Sequence, residues 1–92
     1  MYDSILENKW HVEVEFTEDK VHTHASARTT LRDDATVTTT GDAYRNPRDD
    51  SQPMVGEEIA AARALFALAT QLLEEASARI AQSTHQPVHL YR

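Results

Sequence analysis

Histidine side chains are the groups in this sequence most suited to bind a metal ion. The 92-residue chain contains five His, and His22 and His24 are separated by one residue. His11 lies in an earlier segment with the same alternation, so zinc could take three imidazoles with Glu13 as a fourth ligand. No HExxH or CxxC spacing supports such a site. The sequence therefore favours a solvated polar face, and we expect neither a bound metal nor a cofactor.

Hydroxyl and carboxylate groups offer little support for catalysis. Ser83, Thr84 and His85 are adjacent, but a nucleophile needs a base oriented by a third group, and the termination of a helix explains these residues more simply. The paired acidic residues are sequence neighbours, whose side chains diverge in a helix or strand. The absence of Cys excludes thiolate chemistry, and two Gly cannot build a phosphate-binding loop. We expect a protein that is not an enzyme.

A small group of basic residues is the alternative candidate site. Arg28, Arg32 and Tyr44 are predicted to share one sheet face, which would suit the phosphates and 2′-hydroxyls of structured RNA. Lys20, Arg45 and Arg48 could extend this patch, but acidic residues share the face. The chain has 15 acidic against 9 basic residues, a net charge of −6 that opposes nucleic-acid binding. RNA or ribosome binding therefore stands second to a surface that faces solvent or a protein.

Three segments with period-two alternation must position these side chains. Apolar residues alternate with polar ones over 10–16, again over 23–31, and more weakly over 35–44. This pattern predicts three half-buried antiparallel strands, with a tight turn at Asp33 and Asp34. Gly41, inside the third strand, predicts a bulge or a close approach by another element, with a local bend. A proline-containing loop over 46–53 then crosses the sheet.

A single long helix is predicted for the C-terminal part. It should run from about Glu57 to Gln82, with Glu57 and Glu58 at its positive end. Its apolar stripe has the spacing 3, 4, 3, 4, which predicts an amphipathic helix that packs on the sheet. The residues of this stripe are Ile59, Ala62, Phe66, Ala69, Leu73, Ala76 and Ile80.

The predicted helix is longer than the predicted strands. Twenty-six residues span ~39 Å, against ~33 Å for a ten-residue strand. Either the helix bends near residues 69–76 and folds back, or a second copy of the chain covers the overhang. We favour a homodimer, with contacts at Leu72, Leu73, Ala76 and Ile80.

No segment has the length of a membrane span and the first 16 residues lack a signal peptide pattern, so we expect a cytoplasmic protein without membrane contact.

Three segments carry a family resemblance. Residues 46–49 (NPRD), 56–65 (GEEIAAARAL) and 83–88 (STHQPV) resemble domain of unknown function 1876, a family of small, mostly actinobacterial proteins. The resemblance covers nearly the whole chain. It implies a fold like the double-stranded-RNA-binding domain, frequent dimers, induction of some members in dormancy or hypoxia, and a shape compared with ribosome hibernation factors. It implies no catalytic residue. Arg63 and His85 match motif positions and are expected to have structural roles.

The sequence as a whole predicts one α+β domain over residues 1–92. The domain would be a three-stranded antiparallel meander with one long C-terminal helix, straight or bent, similar to the double-stranded-RNA-binding domain. We expect a homodimeric, stress-associated binding protein whose protein partner the sequence does not identify.

Overall fold

A three-stranded antiparallel sheet and one long helix form the described part of the molecule. The computed structural model describes Ile5 and residues 7–84. The strands are β1 (Val12–Glu18), β2 (His22–Thr30) and β3 (Thr36–Tyr44), in the order β1-β2-β3, and they are followed by α1 (Pro53–Thr84). This confirms the predicted α+β meander, with strand ends within two residues of those expected. The single-domain interpretation and the likeness to the double-stranded-RNA-binding domain stay predictions.

Aspartate side chains close both tight turns. Asp19 Oδ1 accepts hydrogen bonds from the backbone N–H groups of Val21 and His22, both at 2.8 Å, and these bonds hold the pKa of Asp19 below its usual value. In the second turn Asp34 has a φ of 66°, and Asp33 Oδ1 accepts from Ala35 N at 3.1 Å. The prediction of a turn at Asp33 and Asp34, based on the tolerance of Asp for left-handed backbone, is confirmed.

The core between sheet and helix consists mostly of alanine. Alternation in β2 and β3 directs every second residue toward α1, and the helix contributes residues four apart. Val14, Leu31 and Leu72 pack at the border of this core while remaining partly exposed. Its buried members are Ala25, Ala27, Val37 and Ala43 from the sheet and Ala60, Ala64 and Leu68 from the helix.

Gly41 allows the helix to approach β3 closely. A Cβ at this position would lie 2.8 Å from the Arg63 carbonyl carbon and against the backbones of Ala60 and Ala64. Thr39 Oγ1 reaches the same stretch of helix and donates a hydrogen bond to the Ala64 carbonyl at 2.8 Å. Gly41 pairs directly with Ala25 and the register continues unbroken on both sides, so the close approach is confirmed and no bulge interrupts the pairing.

The prediction that the apolar stripe packs on the sheet is wrong, because the stripe lies on the side of the helix turned away from the sheet. Ile59 and Ile80 are each 40% exposed and Phe66 is 63% exposed. The buried face is instead that of Ala60, Ala64 and Leu68. The reason is steric, since only a side chain as small as alanine fits where the helix backbone lies against Gly41.

The helix exceeds the sheet in length by more than expected. It begins at Pro53, where a missing N–H costs nothing, and continues for 32 residues to Thr84. Its length is ~48 Å, against ~30 Å for a nine-residue strand. It is helical throughout, so it does not fold back near residues 69–76. The earlier start also leaves the first turn without an acidic residue, so Glu57 and Glu58 do not occupy the positive end as predicted.

Thr84 lies in the last turn of the described helix. Its Oγ1 donates a hydrogen bond to the Ile80 carbonyl at 2.9 Å, as expected for a hydroxyl near a helix end. His85 and the extended tail predicted for residues 88–92 lie outside the described residues. Among those that are described, no helix is apolar enough over a sufficient length to cross a membrane.

Candidate functional site

The side of α1 turned away from the sheet is rich in large apolar side chains. We call this set the apolar helix face. Ala62 and Ala69 are exposed, and Leu73 and Ala76 are partly buried. Together with the three exposed side chains described above, the face contains Ile59, Ala62, Phe66, Ala69, Leu73, Ala76 and Ile80, the stripe predicted from the sequence.

The period of the apolar helix face is that of a helix-pairing seam. Its residues are alternately three and four apart, which is the a/d pattern of a coiled coil. One position of each pair is large (Ile59, Phe66, Leu73) and the other is alanine. Large side chains alternating with alanine allow two helices to approach closely, because the large groups of one helix fit over the alanines of the other. The face therefore has the form of a surface for a second helix.

A second exposed apolar surface lies along β1. Val12 and Phe16 pair with Thr29 and Ala25 of β2, so they point to the same side of the sheet as the core. Because α1 packs mainly on β2 and β3, both remain exposed, as does Trp10 before the strand. We call Trp10, Val12 and Phe16 the β1 apolar strip.

The β1 apolar strip lies on the same side of the helix as Leu65. Arg63 reaches β3, since its Nη1 donates to the Asp42 carbonyl at 2.7 Å. Leu65 is two residues further along α1, about 200° around the helix from Arg63, and so faces the β1 side. Leu65 is 41% exposed. The contact of Arg63 with β3 is of the kind that its predicted structural role requires, and that role stays a prediction.

A cluster of two imidazoles and one carboxylate lies on the opposite face of the sheet. Asp42 pairs directly with His24, and its Oδ1 is 2.7 Å from His24 Nδ1 and 2.8 Å from His22 Nε2. Hydrogen bonds from His24 and then His22 hold the pKa of Asp42 below its usual value. The His22 ring also stacks on Tyr44, with centroids 4.4 Å apart and planes 5° from parallel.

The members of this cluster differ from the zinc ligands considered in the sequence, which included His11 and Glu13 beside His22 and His24. His11 precedes β1, whereas the β1 residue opposite His24 is Thr17, six positions and ~20 Å further along the strand. Glu13 is also remote, because it pairs with Arg28. Sequence reasoning missed Asp42, although an acidic residue on the polar side of a Thr-rich strand was a usable signal.

The structure does not bring together the three residues of the predicted RNA-binding face. Arg28 Nη2 lies 2.6 Å from Glu13 Oε2, and this carboxylate raises the pKa of Arg28. Arg28 pairs with Thr38 while Tyr44 pairs with His22, six positions and ~20 Å away. Arg32 is exposed beyond the end of β2.

Arg45 is committed to the loops around it. Its Nε donates to the Lys20 carbonyl at 3.0 Å and its Nη1 donates to the Asp49 carbonyl at 2.5 Å. These bonds join the first turn to the crossing loop, which is a structural role. Arg48 is exposed in that loop.

A shallow cleft of about 490 Å³ lies between the first turn, the crossing loop and the start of α1. At its margin Glu18 hydrogen-bonds Glu57, and this bond, followed by burial and the charge of Glu57, raises the pKa of Glu18. The two carboxylates come from β1 and α1, so no local sequence pattern could have indicated that they meet.

Mycobacterial proteins resemble this chain in sequence and in fold. The chain is 35% identical over 88 residues to the uncharacterized protein Mb1767 of Mycobacterium bovis, covering 96% of this chain and 92% of that protein. It is 48% identical over 48 residues to the uncharacterized protein Rv2632c of Mycobacterium tuberculosis, about half of each chain. The crystal structure of Rv2632c superposes with a TM-score of 0.83 at 33% identity, covering 92% of this chain and all of that one. Residues 8–89 match a single family description, and the chain belongs to the Rv2632c-like family.

Proposed function

We propose that this chain is a small non-catalytic binding protein that acts as a homodimer through the apolar helix face. The observation that carries the proposal is the distribution of apolar side chains. The buried core contains five alanines, one valine and one leucine, while Ile59, Phe66 and Ile80 lie exposed on the apolar helix face of α1. Full burial of each large aliphatic or aromatic side chain is worth about 1.5–3 kcal/mol, so their exposure leaves much stabilisation unused.

A second copy of the chain is the occupant that the spacing supports best. A partner helix can match the a/d pattern, and α1 itself supplies a helix with large and small residues in the required alternation. A two-fold axis would place the same patch on both sides of the contact. The face is apolar at positions 62, 66, 69, 73 and 76, and Glu58 lies beside its first end, four residues before Ala62.

The non-catalytic role and the role in stress are supported by observations other than the apolar helix face. The hydrogen bonds that the structure gives to the His22 and His24 rings go to Asp42 and not to a serine or threonine hydroxyl, which favours binding over catalysis. A role in stress or dormancy follows from the resemblance seen in the sequence.

RNA or ribosome binding through the exposed sheet face is the second candidate. Tyr44, 75% exposed, offers an aromatic surface for a base. The separation of Arg28 from Tyr44 and the pairing of Arg28 with Glu13 weigh against this candidate. It ranks below the homodimer for these reasons.

Charge substitution on the apolar helix face tests the proposal. Leu73→Glu and Ile80→Glu place a carboxylate in the seam, so both variants should sediment as monomers. Ala78→Glu is the matched control, because Ala78 is exposed and lies about 200° around the helix from Ile80. Dimers for all three variants in sedimentation velocity would exclude this face as the contact.

A further inference from the structure

We propose that His22, His24 and Asp42 form a binding site for one divalent transition metal ion, with Zn²⁺ as the best-matched ion. One ring nitrogen from each histidine and one carboxylate oxygen lie within 4.8 Å of one another. Two imidazoles with one carboxylate are a frequent ligand set for zinc in proteins. The site lies on the sheet face opposite α1, so it is independent of the homodimer proposed above.

The backbone brings the three ligands together without help from flexible segments. His22 and His24 are alternate residues of the central strand and therefore share a face, and Asp42 is the cross-strand partner of His24. Paired and alternate positions in adjacent strands hold side chains at fixed spacing. Strands position ligands more accurately than loops do.

The two distances between imidazole nitrogen and carboxylate oxygen suit a metal ion after a small adjustment. Zinc bonds to nitrogen and oxygen of ~2.0–2.2 Å place neighbouring ligand atoms about 3.3 Å apart in a tetrahedral shell. The two nitrogens now lie 2.7 and 2.8 Å from the carboxylate oxygen, so each would separate from it by about half an ångström. The side chains are 31%, 39% and 35% exposed for His22, His24 and Asp42, which leaves room for this movement and for water as a further ligand.

Surrounding contacts orient two of the three ligands. Tyr44 stacks in parallel on the His22 ring and restricts its rotation. The Arg63 guanidinium holds the backbone of Asp42 against α1. Such contacts raise the affinity of a metal site, because less motion is lost when the ion binds.

Titration of the full, untagged chain with ZnCl₂ after chelator treatment tests the site. We expect one Zn²⁺ per chain by calorimetry. Asp42→Asn keeps the size of the side chain and removes its charge, and it should weaken Zn²⁺ binding by about tenfold or more, as should His24→Ala. His11→Ala is the matched control and should bind as the unaltered chain does.

Independent readouts keep the test decisive if a variant folds poorly. NMR of the unaltered chain should show Zn²⁺ shifting the ring resonances of His22 and His24 and leaving those of His11 in place. No saturable Zn²⁺ binding would overturn the proposal. So would a loss of binding confined to His85→Ala or His89→Ala, or ring shifts at His11 alone.

Discussion

At the scale of single residues, the missing side chain of Gly41 determines how closely the helix and the sheet approach. The backbone of α1 occupies the space that a Cβ would need. That contact explains why alanines and not the larger residues of the helix face the sheet. Gly56, the other glycine, is different, because a Cβ there would meet the Thr23 Oγ1 at 2.9 Å, a side-chain atom.

Gly41→Ala should therefore destabilise the protein, by about 1–3 kcal/mol in urea unfolding, because the helix must shift away from β3. Gly56→Ala is the control, since the Thr23 side chain can adjust and alanine favours the helix by up to ~1 kcal/mol. Equal stability of the two variants would show that the close approach to Gly41 is not a stabilising feature.

The histidine cluster was predictable from the sequence only in part. The alternation of β2 placed His22 and His24 on one polar face, as the structure confirms. Their partner depends on the register between β2 and β3, which rests on a turn of defined length at Asp33 and Asp34. The prediction that His11 joins His22 and His24 as a zinc ligand depended on the register between β1 and β2, which the sequence does not determine.

At the scale of elements, the strands were predictable and the orientation of the helix was not. Period-two alternation distinguishes the two faces of a strand, and β1 and β2 show it clearly while β3 shows it more weakly. In α1, Ala60, Ala64 and Leu68 form the buried face, while the apolar helix face contains isoleucine and phenylalanine as well as alanine and leucine, so hydrophobicity alone favours the face that does not pack on the sheet. The decisive contact is between Gly41 and Ala64, which are 23 residues apart in the chain.

One ion pair connects the second turn to the distal half of the helix. Arg79 Nη2 donates to Asp33 Oδ2 at 2.8 Å, and this bond, with that from Ala35 N, holds the pKa of Asp33 below its usual value. A carboxyl whose pKa is lowered in the folded state stabilises the fold above its unfolded pKa. That stabilisation is lost as the pH falls through the lowered value.

Asp33→Asn should accordingly flatten the acid limb of the curve of stability against pH, below about pH 4. Thermal unfolding monitored by circular dichroism between pH 2 and pH 7 would measure this effect. Asp34→Asn is the control, because the Asp34 carboxylate makes no ion pair with a described residue and Asn tolerates its left-handed backbone. An identical pH profile for Asp33→Asn and the unaltered chain would contradict the prediction.

At the scale of the whole molecule, net charge and apolar surface point to different partners. A charge of −6 disfavours polyanions, whereas the apolar helix face and the β1 apolar strip favour a protein surface. The sequence predicted an uncovered apolar surface because the predicted helix is longer than the strands. The exposed apolar surface in the structure is larger, because it includes the whole apolar helix face and not only the part of the helix beyond the sheet.

Binding to double-stranded RNA should be undetectable at physiological salt, because the acidic chain repels phosphate and Arg28 is paired. Fluorescence anisotropy with a labelled duplex would measure this. Affinity that falls steeply with salt and is reduced in Arg28→Ala or Arg32→Ala would favour the RNA-binding alternative.

Dimer formation should also link stability to concentration. The melting temperature of the unaltered chain should rise with protein concentration, because association stabilises the folded state by mass action. Ile80→Glu should melt at a temperature that does not depend on concentration. A concentration-independent melting temperature for the unaltered chain would argue for a stable folded monomer.

The mass of the unaltered chain in solution tests the central claim most directly. Light scattering coupled to gel filtration at micromolar concentration should give twice the chain mass of 10.4 kDa, as the proposed homodimer requires. A monomer mass across the accessible concentration range would contradict the account.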